Sequence, residues 1–457
     1  MSSAQATAWV VTVTEGAGPV KSLLSRKSAV VLGPVVVATL VLAGCGGGSS
    51  GDKNAGRGKG PVPEPKSPVT ITFESWVGNY PEMKQLATEF HKEHPMITIQ
   101  FINASSDSES QKLTTQVAGN TAPDTAYVNA SDTSDFASRG ALVNLDNYIS
   151  RSTIVKSNDY VPAFKTFETW NGHLWGLPFD GESTGLFYRT DNFAAAGITH
   201  PPTTWAEFTA DAKALTDPSQ NKFGYEIFGP EAAYYWYPWL YQAGGDLLSQ
   251  DGKKIVFDSP AGVKAANQYI GLAKYSPPDY YNSNSYDGRV AFENGNVSMY
   301  VAGSWLAGTI HSEKPSIDSK WSTAPLPNGP AGCKTTIAGD SLIMFNQTKN
   351  PDAAWKWIEF LSKPSNVALW TYKSPNGTEL PPLTSLLNSP DLVKTKPVLK
   401  GFAALMKCGV ASTVSQPKFP QVETILNTEL SKAIYGNETP AAALQNAAQQ
   451  GQAILDH

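Results

Sequence analysis

Apolar and polar residues alternate through Val69-Thr70-Ile71-Thr72-Phe73, the period of a half-buried strand, and the alternation carries on to Trp76. The period then changes. Met83, Leu86, Ala87 and Phe90 share one face of a helix that Pro81 opens and Pro95 stops. Ile97-Thr98-Ile99-Gln100-Phe101 is a second strand, Leu113 and Val117 mark a second helix, and Ala126-Tyr127-Val128 is a third short strand. Strands and helices taking turns over short connections predict an α/β, doubly wound layer.

Beyond Pro178 the pattern is less regular. Gly185-Leu186-Phe187-Tyr188 reads as strand, and Thr204-Trp205-Ala206-Glu207 as a capping box whose helix buries Trp205, Phe208, Ala212 and Leu215. Tyr234 to Tyr241 holds six aromatics in eight residues. Leu247 to Phe257 predicts a hairpin turning at Asp251-Gly252, and Ser259-Pro260 opens a helix. A further helix ends at Gly295, and the strand Val297 to Val301 runs into Gly303-Ser304-Trp305. Ile337 to Phe345 is a strand broken at Gly339-Asp340, Pro351 to Leu361 is an amphipathic helix, and two helices close the chain.

The N-terminal stretch has another character. Lys21, Arg26 and Lys27 precede the apolar run Ala29 to Ala43, whose 15 residues suit a signal peptide and are short for a membrane span. Leu42-Ala43-Gly44-Cys45 closes the run and resembles the lipobox of bacterial lipoproteins. That resemblance implies removal of residues 1–44 and a lipid on Cys45, which would anchor the protein to the outer face of the bacterial cytoplasmic membrane. The translation start is expected nearer Val20. Gly46 to Pro68 lacks apolar periodicity and reads as a tether too polar to pack, reaching roughly 25–30 Å as a flexible coil.

Composition narrows the function classes. At 457 residues the length suggests two or three domains, and 41% hydrophobic with 16% charged residues is globular. Residues 1–44 carry three bases and one acid, so the remainder holds a formal charge of −7, which argues against a nucleic-acid partner. If Cys45 is lipidated, Cys333 and Cys408 remain, and in an exported protein they are expected to form a disulfide; two free thiols are the alternative.

Two motifs invite chemistry. Gly181-Glu182-Ser183-Thr184-Gly185 fits G-x-S-x-G, but a nucleophile elbow needs a helix after the serine, and Leu186 to Arg189 reads as strand. Of the histidines after Ser183 (His200, His311 and His457), none stands where a base is needed. His91 and His94 share one side of a helix and could hold a metal, although a solvated helix end before Pro95 is the better reading. No nucleotide loop and no C-x-x-C occurs, so no cofactor is implied. The aromatic run Tyr234 to Tyr241 cannot all face one core on a helix with 3.6 residues per turn. Trp239 and Tyr241 are assigned to the core, and some of the others are expected to face a cleft or solvent.

Several segments together resemble the extracellular solute-binding proteins of carbohydrate ABC transporters, the group that includes maltodextrin-binding protein. They include Ile71 to Trp76, Thr121-Ala122-Pro123-Asp124-Thr125-Ala126, Gly172 to Pro178, and Leu186-Phe187-Tyr188-Arg189-Thr190-Asp191. Pro201 to Trp205, Ala243-Gly244-Gly245-Asp246, Ala291 to Gly295, Ala302-Gly303-Ser304-Trp305 and Ala353 to Ser362 complete the set.

The resemblance implies a two-lobed, periplasmic-binding-protein-like α/β fold with a ligand cleft between the lobes and crossing hinge strands. Its expected divisions are the signal peptide 1–44, the lipidated Cys and tether 45–68, a first lobe of 69–180 and 337–366, and a second of 181–336 and 367–457. Carried over residue by residue, it places Trp76 and Asn79 after the first strand, Asn129 and Asp132 after the third, and Asp180 and Glu182 at the first crossover. Tyr234, Tyr235 and Trp236 match an acid-plus-aromatic segment of the maltodextrin protein, with Glu231 the nearby acid. Trp305 matches a stacking residue, and Gly339 and Asp340 fall where relatives have paired glycines. The function so implied is binding of a neutral or amino mono- or oligosaccharide by a monomer that catalyses nothing. The loaded protein would deliver its sugar to membrane ABC permease subunits powered by a cytoplasmic ATPase. The alternative is a lipid-anchored serine hydrolase or glycosidase using Ser183 or a carboxylate pair.

Overall fold

The computed structural model describes residues 56, 58–105, 108–229, 231–278, 288–411 and 416–456. The expected signal peptide, Cys45 and the first part of the expected tether lie outside the described residues, as does His457. Among the described residues no helix is long and apolar enough to cross a membrane.

Among the described residues eleven strands form the frame. They are β1 (Val69–Ser75), β2 (Ile97–Asn103), β3 (Thr125–Asn129), the small hairpin β4 (Thr169–Trp170) and β5 (His173–Leu174), and β6 (Gly176–Arg189). There follow β7 (Phe223–Tyr225), β8 (Val297–Gly303), β9 (Trp321–Ala324), β10 (Thr335–Met344) and β11 (Gly409–Ala411). Apart from the hairpin they run in the order β2-β1-β3-β10-β6-β8-β7, with β11 on β10 and β9 on β6. The β1–β2 and β1–β3 pairs are parallel, as the strand–helix alternation predicts, and β10 enters antiparallel to β3.

The strand β6 carries the chain across. Its first part pairs with β10 from Gly176 to Ser183, and its second with β8 and β9 from Thr184 to Arg189. It runs well beyond the expected Gly185–Tyr188, because Pro178 and Gly181, read as punctuation, are tolerated inside it. Pro178 lies opposite Ser341, where the β6–β10 register shifts after Asp340, so its missing N–H falls at an irregularity of the ladder. Gly181 leaves room for the ring of Phe164, which a Cβ there would strike.

Two sets of cores flank the crossing. Phe73, Leu86, Phe90, Phe179, Trp355 and Trp357 belong to one, built on β1 and the helix Pro351–Leu361. The other is centred on the helix Ala232–Gln242, which packs with the helices Pro260–Ile270 and Phe419–Ile434. The segment 367–383 belongs to neither side alone. Val367, Trp370 and Leu383 pack in the first core, whereas Ala368, Tyr372 and Leu380 pack around Phe187 and Phe402. A boundary at 366/367 therefore cuts through a shared segment.

Three expectations need correction. The later part of the tether does pack: Val62 is buried in the first core, Arg151 donates to the carbonyls of Gly56 and Gly60 at 2.8 Å, and Lys356 pairs with Glu64 at 2.7 Å. Its partners lie on distant elements, which local composition does not show. In the aromatic run, Tyr235, Trp236 and Tyr237 are as buried as Trp239 and Tyr241, because helices cover this helix on several sides. The capping box is shifted. Thr204 Oγ1 accepts from Glu207 N at 3.2 Å, but the Glu207 carboxylate reaches back to the N–H of Thr203 at 2.7 Å.

Cys333 and Cys408 are joined, with Cα atoms 5.8 Å apart, just ahead of the paired strand ends Thr335 and Gly409.

Candidate functional site: a cleft at the crossing strands

A cavity of about 780 Å³ opens at the crossing strands. The end of β1 brings Trp76, β3 brings Tyr127 and Asn129, β6 brings Asp180 and Glu182, and β10 brings Ala338, Gly339 and Asp340. From the other side come Tyr300 on β8 and Trp305, which caps the helix Leu306–Glu313. Asp180 and Glu182 share one face of β6, two residues apart, while Gly181 between them turns its Cα toward Phe164. The crossing is tight: a Cβ on Gly339 would lie 2.6 Å from the Asp180 carbonyl oxygen, so only glycine fits.

Asp180 is the hub. It accepts from Trp370 Nε1 at 2.5 Å, from the Tyr127 hydroxyl at 2.8 Å, and from the Asp340 N–H at 3.2 Å. The Tyr127 oxygen is also 2.7 Å from Asp340 Oδ2. One phenolic proton cannot serve two carboxylates, so the bridge is satisfied when Asp340 is protonated and donates to Tyr127. Charge points the same way: burial and the neighbouring Asp180 push the Asp340 carboxyl far above its usual range. Burial also raises Asp180, but its three donors favour the ionised form and it reaches only about 6.

Glu182 faces the second side. Tyr234 donates its hydroxyl to Oε1 at 2.8 Å, while Oε2 is buried without a hydrogen-bond partner. Burial, then the charge of Asp180, pushes Glu182 up to about 7. Glu379 joins this group because Leu380 pairs with Gly181 in both directions, at 2.9 and 2.7 Å. Burial and the charges of Asp180, Glu182 and Asp340 hold its carboxyl well above the ordinary range. Aromatic rings complete the wall. Trp76 meets Tyr127 edge-on at 4.8 Å, and Trp370 stacks on Phe179 at 5.6 Å with Tyr80 beyond it at 6.1 Å.

Of the residues expected at a ligand site, Trp76, Asn129, Asp180, Glu182, Trp305, Gly339 and Asp340 come together here. Tyr234 reaches the site only through Glu182. Tyr235 and Trp236 are core, buried where the helix packs, which overturns the ligand role expected of them. Asn79 is exposed and is not part of the cavity wall, although Val77 before it and Tyr80 after it are. Asp132 points instead to Ser110, whose hydroxyl donates to it at 3.1 Å.

Sequence reasoning missed Tyr80, Tyr127, Tyr300, Trp370, Glu379 and Arg289. Tyr127 was accessible: it lies two residues before Asn129 on the same strand and so shares its face. Glu379 had no local signal, since a single bridge to β6 brings it in.

The serine-hydrolase alternative finds no footing. Ser183 is fully buried in the middle of β6 and donates its hydroxyl to the Phe402 carbonyl at 2.9 Å, so no strained elbow exposes it. His91 Nδ1 is 2.8 Å from the Ile97 carbonyl, and His94 Nδ1 the same distance from Glu64. Among the described residues no group of His, Cys, Asp or Glu is arranged to hold a metal.

Comparison with known proteins places this geometry. The family model for bacterial extracellular solute-binding proteins matches residues 75–368. A binding protein of Brucella abortus strain 2308 is 27% identical over 390 residues, 82% of this chain and 90% of that protein. The maltotriose-binding protein of Pyrococcus abyssi is 26% identical over 298 residues, 64% of this chain and 60% of that protein. A solute-binding protein of an ABC transporter from Thermotoga lettingae, solved with bound α-D-tagatose, superposes with a TM-score of 0.77 at 25% identity, covering 85% of this chain and 100% of that one. The GacH receptor of Streptomyces glaucescens, solved unliganded and with acarbose, shares the fold at a TM-score of 0.76 and 23% identity, covering 85% of this chain and 98% of that one. The fold is thus the two-lobed one of periplasmic binding proteins, and the chain belongs to the bacterial extracellular solute-binding protein family.

Proposed function

We propose that this protein binds a sugar in the cleft at the crossing strands and delivers it to a membrane ABC permease for import. The observation that carries the reading is the composition of the cavity wall: carboxyl groups of Asp180, Glu182, Asp340 and Glu379 set among the rings of Trp76, Tyr127, Tyr300 and Trp305. Sugar hydroxyls donate to carboxylates in charge-assisted bonds, while the apolar faces of a pyranose stack on aromatic rings. Relatives that bind maltotriose or lactose, and one solved with tagatose, take ligands of this chemical kind.

In this reading the ligand touches Trp76 and Tyr127 on one side and Tyr300 and Trp305 on the other, and so favours a closed arrangement over an open one. Only contacts that differ between the two arrangements drive such closure. The protein's role is carriage without turnover. A lipid on Cys45 would hold the body near its permease at high effective concentration.

Titration calorimetry against a panel of mono- and oligosaccharides, with tryptophan fluorescence as a second readout, tests the proposal. Saturable binding with recovery of unchanged sugar is expected. Failure of every saccharide to bind, or conversion of the sugar to a product, overturns it.

A further inference from the structure

Resting on the sugar reading above, we infer that Trp370 is a positioning residue of the cleft: its indole N–H fixes the Asp180 carboxylate to which a sugar hydroxyl bonds, and so Trp370 governs sugar binding through Asp180. Three donors meet Asp180, and they differ in kind. The Tyr127 hydroxyl lies between two carboxyls, and the Asp340 N–H makes the longest contact, at 3.2 Å. The Trp370 indole makes the shortest, at 2.5 Å, and a tryptophan N–H can only donate.

The ring that carries this donor has little freedom. It is buried in the first core, stacks on Phe179 with centroids 5.6 Å apart and planes at 21°, and meets the ring of Tyr127 edge-on at 6.2 Å. Its backbone is unusual as well. Leu369–Lys373 is a short π-helix that continues the helix Pro364–Ala368, and the Ser374 N–H closes it on the Leu369 carbonyl at 3.2 Å. The π-helix is rare and is frequently found at functional sites. Further along the same segment, Leu380 pairs with the backbone of Gly181 in both directions. Three consecutive residues of β6 are thus gripped by one segment: Phe179 by stacking, Asp180 by the indole and Gly181 by the backbone.

Trp370 and Asp180 both line the cavity. A carboxylate has about four acceptor positions, and three are filled, which leaves Asp180 one for a ligand. The titratable groups that face it are Tyr127 on β3, Glu182 on β6, Asp340 on β10 and Glu379 beside Leu380, and none of these is basic. Neutral donors therefore keep Asp180 ionised against burial, with its carboxyl raised only to about 6. Removing the indole donor favours the protonated acid, which cannot offer a sugar hydroxyl a charge-assisted bond.

The test is titration calorimetry on the full chain with the tightest-binding saccharide of a panel that includes maltotriose, lactose, D-tagatose and glucose. Trp370→Phe keeps a ring on Phe179 and removes the donor. The variant is expected to bind about threefold more weakly than the parent at pH 8, and that gap to widen about fivefold between pH 8 and pH 6, as follows when the Asp180 titration moves up by about one pH unit. In an Asp180→Ala background the same substitution is expected to change affinity by less than about twofold. Equal affinity of parent and Trp370→Phe, or a gap that stays constant with pH, overturns the positioning role and leaves the sugar reading standing. A loss that persists in the Asp180→Ala background does the same, because it marks a direct contact between ring and sugar. Thermal midpoints at each pH report folding, and where Asp180→Ala is unfolded or binds too weakly to measure, the pH dependence decides alone. If no saccharide of the panel binds the parent, the inference falls together with the sugar reading.

Discussion

Glu182 should make the unliganded protein less stable at neutral pH, and by an amount that can be worked out. Its carboxyl moves from an ordinary value of 4.5 to about 7 on folding, chiefly through burial and secondly through the charge of Asp180. A group whose folded pKa lies above its unfolded one binds more protons when folded, so stability falls as pH rises between the two values and levels off above the higher. The gap corresponds to about 3 kcal/mol at pH 8 relative to pH 4. Glu182→Gln removes this dependence and keeps an acceptor for the Tyr234 hydroxyl. The variant should therefore be more stable than the parent by about 3 kcal/mol above pH 7.5, with the difference shrinking toward zero near pH 4.5. Urea denaturation of both proteins at four pH values across this range measures the difference directly. Parallel stability curves, or a parent that gains on the variant as pH rises, would refute the reasoning by showing that Glu182 is ionised at little cost when folded.

Other perturbations have equally definite outcomes. Gly339→Ala forces a methyl group to within 2.6 Å of the Asp180 carbonyl oxygen, a backbone atom that cannot swing away, and should cost about 1–3 kcal/mol in a thermal or urea melt. Replacing Cys333 and Cys408 together by serine opens a link spanning 75 residues and should lower stability by about 2–4 kcal/mol, with the parent in reductant falling to the same level. Tyr127→Phe removes the hydroxyl shared by Asp180 and Asp340 and should weaken sugar binding about tenfold by calorimetry, since both carboxyls lose a fixed partner. Cys45→Ser should shift the protein from the membrane fraction to the soluble one in cell fractionation, if the lipobox resemblance holds.

The parts of this molecule that were legible in the sequence are those whose physics is local. β1, α-helical Pro81–Glu93 and β2 could be placed from period alone, because each buries one face and its own residues decide which. A break was expected at Gly339-Asp340; the strand in fact runs through that pair, with a register shift just after it, between Asp340 and Ser341. Where partners come from far along the chain the reading failed. Tyr235 and Trp236 looked too aromatic for a core, yet the helices Phe419–Ile434 and Pro260–Ile270 bury the faces that a two-sided view leaves open. Val62 and Glu64 looked like tether, yet Arg151 and Lys356 hold that stretch to the body. Glu379 enters the site through one bridge between Leu380 and Gly181, a contact across almost 200 positions that no local pattern encodes.

The acids and the rings of the cleft occupy different mechanical positions, and this divides their work. Asp180 and Glu182 sit on β6, which pairs with β10 before them and with β8 beyond them, so they lie where the two sides of the molecule meet. In the proposed closure such residues move least, and a ligand bonded to them alone would gain nearly the same energy whether the cleft is open or closed. Contacts that do not differ between two states cannot shift the balance between them, however strong they are. Trp76 stands at the end of β1 on one side and Trp305 at the head of Leu306–Glu313 on the other, so their distance from a ligand on β6 changes as the sides approach. In the proposed function the carboxyl groups of the crossing strand would thus select the ligand and set its affinity, and the rings would supply the difference that favours closure.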